Sequence, residues 1–104
     1  MKRNKSNTKA DALTASQTVH IEFDHATATT ISIAGTFNDW RPGVTPMVAL
    51  AEGRWFKELV LEPGIYEYCL VVDGEWMPDP RANDTVPNPF GGMNSILNVN
   101  GCSR

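Results

Sequence analysis

The chain has 104 residues, 41% of them hydrophobic and 20% charged, a size and balance that suit one small globular domain and leave little room for a second. The formal net charge of −3 conceals an asymmetry: Lys2, Arg3, Lys5 and Lys9 against Asp11 make residues 1–17 carry +3, whereas the rest carries −6. An acidic body with a short basic start argues against nucleic-acid binding, and no apolar run is long enough to span a membrane.

Residues 1–17 are polar and poor in aromatics, and are predicted to be a disordered tail. Their basic start is not followed by an apolar stretch, so a secretory leader is not expected and a cytoplasmic setting is. From Thr18 the pattern turns to period two: Val19, Ile21 and Phe23 alternate with His20, Glu22 and Asp24, the signature of a half-buried strand. Thr29 to Ala34 repeats it with Ile31 and Ile33, and Gly35-Thr36-Phe37-Asn38-Asp39-Trp40-Arg41-Pro42-Gly43 interrupts it with turn residues. A short strand over Pro46–Leu50, a hairpin loop at Ala51-Glu52-Gly53 and a strand over Arg54–Leu61 follow.

After a turn at Glu62-Pro63-Gly64, Ile65–Val72 is the strongest strand of the chain, and Asp73-Gly74 is a two-residue hairpin turn because both positions tolerate positive φ. Glu75–Pro78 returns. Asp79–Gly92, rich in Pro and Gly, reads as a long loop, and Ser95–Val99 as the last strand. Residues 18–100 thus form one antiparallel β-sandwich, with residues 101–104 as a C-terminal tail.

The Asp73-Gly74 turn fixes a register. Val72 pairs with Glu75, Val71 with Trp76 and Leu70 with Met77, and directly paired residues share a face. Tyr66, Tyr68, Leu70 and Met77 make the bulky face and are assigned to the core. Glu67, Cys69, Val71 and Trp76 make the other face, which Glu67 marks as the one meeting water. A tryptophan on that face is either a binding surface or a side chain covered by the long loop.

Cys69 and Cys102 make neither a disulfide framework nor a metal-ligand spacing, and two reduced thiols are expected, the alternative being a single bridge between a strand and the C-terminal tail. His20 and His25 lie apart from them, so no metal site and no cofactor are predicted. Asp73, Asp79 and Asp84 are close in sequence, as a glycosidase pair would be, but Asp73 is committed to the turn and Asp79 precedes Pro80. A short sandwich also lacks the deep site that tunes a catalytic acid. The chain is read as non-catalytic.

In order along the chain stand Gly35-Thr36-Phe37-Asn38-Asp39-Trp40, Pro63-Gly64-Ile65-Tyr66-Glu67-Tyr68, Val72-Asp73-Gly74-Glu75-Trp76, Asp79-Pro80 and Asn94-Ser95-Ile96-Leu97-Asn98-Val99. Over residues 18–99 this series resembles the family-48 carbohydrate-binding modules, such as the glycogen-binding domain of the AMP-activated protein kinase β subunit and the N-terminal domains of isoamylases and glycogen branching enzymes. The resemblance implies an immunoglobulin-like, early-set sandwich that binds α-1,4-glucan (glycogen, starch, malto-oligosaccharide). It implies a sugar site formed by Trp40, Trp76, Phe90 and Asn94, with Cys69 at the position where the glycogen-binding members carry a lysine. That departure removes a charged donor. A glucan-active enzyme acting in trans is the implied protein partner. The alternative is a protein-interaction or regulatory module whose sugar site has degenerated, working beside a glucan-metabolising enzyme or kinase.

The chemistry suits those residue types. A glucose ring is apolar on its faces and polar on its rim, so indole plates stack on the faces while an amide donates to and accepts from the hydroxyls. Each assignment has a plainer reading: Trp40 as a plug of the sandwich end, Phe90 as a loop anchor, Asn94 as a cap on backbone groups. Trp55 is expected in the core or partly covered.

Overall fold

A computed structural model describes residues 16–100. Two antiparallel sheets face each other. The first holds β1 (Gln17–Asp24), β4 (Arg54–Leu61) and β3 (Val48–Ala49), in the order β1-β4-β3. The second runs β2 (Ile31–Gly35), β5 (Gly64–Val72), β8 (Met93–Val99) and β7 (Asp84–Pro87), with β6 (Glu75–Met77) also paired to β5.

Alternation is the cause of this layering where it is strongest, since one side of β1 and of β2 is apolar. Ile21 and Phe23 of β1 and Trp55 and Leu59 of β4 face Ile31, Ile33, Tyr68, Leu70 and Val72 from the other sheet. Met47 completes this core, and Val19, Ala28, Phe37, Leu61, Met77 and Leu97 pack on its margins. Trp55 is therefore a core residue, as its strand position suggested.

The hairpin register is observed as deduced: Val72 opposite Glu75, Val71 opposite Trp76, Leu70 opposite Met77. Asp73 and Gly74 have φ of 50° and 88°, the doubly positive pair of a type I′ turn. The turn is also clipped to the loop before β2. Asp73 Oδ1 accepts from the amides of Thr29 (2.9 Å) and Thr30 (2.8 Å), and the Asp73 amide donates to the Thr30 carbonyl at 2.8 Å. These backbone donors, Thr30 first, hold the Asp73 carboxyl below its ordinary pKa.

Three expectations are corrected. Asp79–Gly92 is not one long loop, because Asp84–Pro87 forms β7 along the edge of β8, pairing Asp84 with Ile96 and Pro87 with Met93. Pro87 closes an edge strand, where a missing N–H costs no ladder bond, and the short Asp-Thr-Val-Pro run carries too little alternation to announce itself. The strand placed at Thr29–Ala34 spans Ile31–Gly35, since the Thr29 and Thr30 amides are spent on Asp73. The face bearing Glu67 and Trp76 is only partly wet: Cys69 and Val71 are buried on it.

The predicted tail over 1–17 lies outside the described residues except for Ser16 and Gln17, and Gln17 is already the first residue of β1, opposite Leu61. Residues 101–104, and with them Cys102, lie outside as well. Cys69 is a free, buried thiol. Among the described residues no helix is long and apolar enough to cross a membrane, and no group of three or more His, Cys, Asp or Glu is placed to hold a metal ion.

Candidate functional site

The outer face of the β5 sheet carries an apolar groove of about 760 Å³. Trp40, Trp76, Phe90, Asn94 and Cys69 all line it, so the structure brings together every residue singled out in the sequence. They come from four places: the turn after β2, the return strand β6, the β7–β8 loop with the start of β8, and the middle of β5.

Trp40 ends a tight turn. After the 3-10 turn Thr36–Asn38, both Asp39 and Trp40 have φ of 58°. A left-handed backbone at a tryptophan costs on the order of 1 kcal/mol, which the surroundings must outweigh. Asn38 does so. Its Oδ1 accepts from the amides of Gly35 (3.0 Å) and Arg41 (3.2 Å), and its Nδ2 donates to the Ile33 carbonyl (3.0 Å) and Thr45 Oγ1 (2.9 Å). All four hydrogen-bonding capacities of the amide are met. The Trp40 amide in turn donates to the Gly35 carbonyl at 2.9 Å. Gly35 permits the close approach: a Cβ there would stand 2.6 Å from the Glu67 carbonyl oxygen and 2.8 Å from Tyr68 Cβ. Trp40 is half-buried, a lining residue and not a plug among the core side chains.

Trp76 is placed by the clipped Asp73-Gly74 turn, opposite Val71, and is 50% exposed. The long segment after it does not cover it. Phe90 is 93% exposed, so it anchors nothing in the interior. Its backbone is nonetheless fixed. Asn88 Oδ1 accepts from the amides of Phe90 (2.9 Å) and Gly92 (3.0 Å), and the Asn88 amide donates to the Gly92 carbonyl (2.9 Å). An Asx turn of this kind holds a loop tip without burying it.

The floor is polar and already connected. Asn94 Oδ1 accepts from the Cys69 thiol (3.1 Å) and from Asn88 Nδ2 (3.1 Å), while Asn94 Nδ2 donates to Glu67 Oε1 (3.1 Å). Asn94 is 8% exposed, bonded through side chains and not to backbone, which leaves one amide N–H without a protein partner among the described residues. Cys69 is 3% exposed, and burial pushes its thiol above the ordinary cysteine value. Glu67 and Asn88 are further residues of the site. Alternation alone placed Glu67 beside Cys69 and Trp76, so its signal was present; nothing in the spacing of Asn88 announced its part.

Of the three aspartates weighed as a catalytic pair, Asp73 and Asp79 are engaged elsewhere and none lines the groove. Asp73 is bound at its turn. Asp79 is buried, accepting from the Tyr68 hydroxyl at 2.6 Å on one oxygen and from the Arg81 amide at 2.9 Å on the other, with its own amide bonded to Ser95 Oγ at 2.7 Å. Burial and the hydrogen bond to Asp79 push the Tyr68 phenol far upward, so the phenol keeps its proton. Asp84 and Asp79 border a different hollow, between β1 and the β7–β8 edge.

Two comparisons with known proteins bear on this groove. A family model described as the glycogen recognition site of AMP-activated protein kinase matches residues 17–103. The chain is also similar to the phosphoglucan phosphatase DSP4, amyloplastic, of Castanea sativa, at 29% identity over 92 residues. That alignment covers 86% of this chain but 24% of the phosphatase, so the chain spans about a quarter of the length of the curated relative it matches.

Proposed function

The chain belongs to the family of the glycogen recognition site of AMP-activated protein kinase, and from that premise we propose that it binds α-1,4-glucan by stacking glucose rings on Trp40 and Trp76 in the groove above β5. What supports the reading is the convergence of two indoles and an almost fully exposed phenyl ring on one groove with a hydrogen-bonded polar floor. An exposed phenylalanine on a rigid loop has no packing role to account for it.

In this reading Trp40 and Trp76 take the faces of neighbouring sugars, Phe90 closes over the chain from the β7–β8 loop, and Asn94 offers its unused N–H to a hydroxyl. Cys69 underlies Asn94 and supplies no charged donor, so one site binds weakly, and engagement of many chain ends on a branched polymer supplies the avidity. The module performs no chemistry itself. Its protein partner in this reading is a glucan-active enzyme, consistent with the phosphatase as a relative, and its sandwich is of the immunoglobulin-like, early-set type.

A second reading, a partner-binding module with a degenerate sugar site, draws on the neutral thiol of Cys69 at the groove floor. Retention of the pure protein on immobilised glycogen or amylose decides between them. Retention that free maltoheptaose competes away is expected. Passage through the column unretarded, together with no heat of binding at millimolar maltoheptaose, would leave the partner-binding reading standing alone.

A further inference from the structure

The groove has a one-sided charge. Among the described residues whose side chains line it, Glu67 alone carries a formal charge; the rest are aromatic rings, prolines, amides, a hydroxyl, a thiol and a thioether. Arg41 adjoins Trp40 in sequence but is not among the lining residues. No cation among the described residues pairs with Glu67, and only its Oε1 is held, by Asn94 Nδ2 at 3.1 Å. Its remaining lone pairs have no protein donor among the described residues. The body around the groove is itself acidic, at −6 beyond residue 17.

We propose that Glu67 is a specificity-determining residue of this groove, which selects neutral glucose units and rejects units carrying a phosphate ester. The inference rests on the glucan reading above and deepens it. A neutral sugar brings hydroxyl donors to a carboxylate, and such charge-assisted bonds are the stronger kind. A phosphorylated unit brings nearly two negative charges into a half-enclosed apolar groove whose fixed charge has the same sign, with no lysine or arginine among the described lining residues to receive them.

The test is calorimetric titration of the full chain with maltoheptaose and with maltoheptaose phosphorylated at O6 of one unit, at low and at high ionic strength. Wild type is compared with Glu67→Gln, which keeps an oxygen to accept from Asn94 and removes the charge. The phosphorylated oligosaccharide is expected to bind about five- to tenfold more weakly to wild type at low salt, with the gap narrowing in high salt. In Glu67→Gln the neutral oligosaccharide loses its charge-assisted bonds and binds about three- to tenfold more weakly than to wild type, while the phosphorylated one is relieved of the repulsion, so the gap between the two closes. Equal affinities in wild type overturn the proposal, as does a gap that Glu67→Gln leaves intact. Failure of neutral maltoheptaose to bind wild type is a separate result: it removes the glucan reading, and this inference with it.

Discussion

The Cys69 thiol donates to Asn94 Oδ1 at 3.1 Å, joining the middle of β5 to the start of β8 beneath the groove. Asn94 in turn holds Glu67 and is held by Asn88. One amide thus connects the sheet, the Phe90 loop and the groove's charged side chain, and the floor is set before any ligand arrives.

That position governs the chemistry of the thiol. Burial lowers both its access and its thiolate fraction. In a Cys102→Ser background, Cys69 is expected to react with iodoacetamide at pH 8 at least about tenfold more slowly than the same thiol in urea. Saturating maltoheptaose is expected to slow it further by covering the groove. Acceleration by the sugar would show that ligand opens the floor instead of capping it.

The aromatic lining separates affinity from stability. Phe90 is 93% exposed, so Phe90→Ala is expected to leave the free energy of unfolding in urea unchanged within about 0.5 kcal/mol and to lower maltoheptaose affinity. Trp76→Ala, at a half-exposed site, costs about 1–2 kcal/mol of binding, roughly tenfold in Kd, with a native circular dichroism spectrum. Calorimetry on both variants checks the two effects together.

Asn38 is the opposite case, a residue with no direct claim on ligand. Its amide makes four hydrogen bonds that hold the Trp40 turn. Asn38→Ala leaves the Ile33 carbonyl and the Gly35 amide without those partners, and is expected to destabilise the fold by about 2–4 kcal/mol. Affinity falls in the same variant even at temperatures where it remains folded, because Trp40 loses its left-handed backbone. Unchanged affinity in folded Asn38→Ala would detach the turn from the site.

Asp73 gives the fold an acid limb. Its carboxyl titrates below its ordinary value of 3.8 when folded, because the Thr30 and Thr29 amides favour the charged form. A depressed folded value means that the unfolded chain takes up the proton first. The contribution is therefore complete above about pH 4 to 5 and is lost as pH falls below 3.8 through the folded value. Hydrogen exchange at Thr29 and Thr30 is expected to accelerate over that range, and Asp73→Asn to remove this step from the acid unfolding profile.

How far the sequence could be read follows from which forces act locally. Alternation exposed β1 and β2, because one buried face leaves a period of two, apolar and aromatic content exposed β4 and β5, and the Asp-Gly pair fixed the Val71–Trp76 register, because few dipeptides accept two positive φ values. From these, Trp76 could be placed on the outer face without any knowledge of the other sheet. β7 escaped notice because its four residues gain their order from β8, not from their own pattern. The site residues were legible as types in a familiar order. The network among Glu67, Cys69, Asn88 and Asn94 was not, since it depends on how the β7–β8 loop folds back on β5.

The indoles of Trp40 and Trp76 line the groove, whereas the third, Trp55, is sealed between the sheets. A titration of the ¹⁵N-labelled protein with maltoheptaose, following the three indole N–H resonances, reads directly which of them meet sugar. The cross-peaks of Trp40 and Trp76 are expected to move together along one saturable curve while that of Trp55 stays in place. Stationary Trp40 and Trp76 peaks at ten millimolar sugar, about a hundredfold above the concentration of a typical sample, would contradict the account.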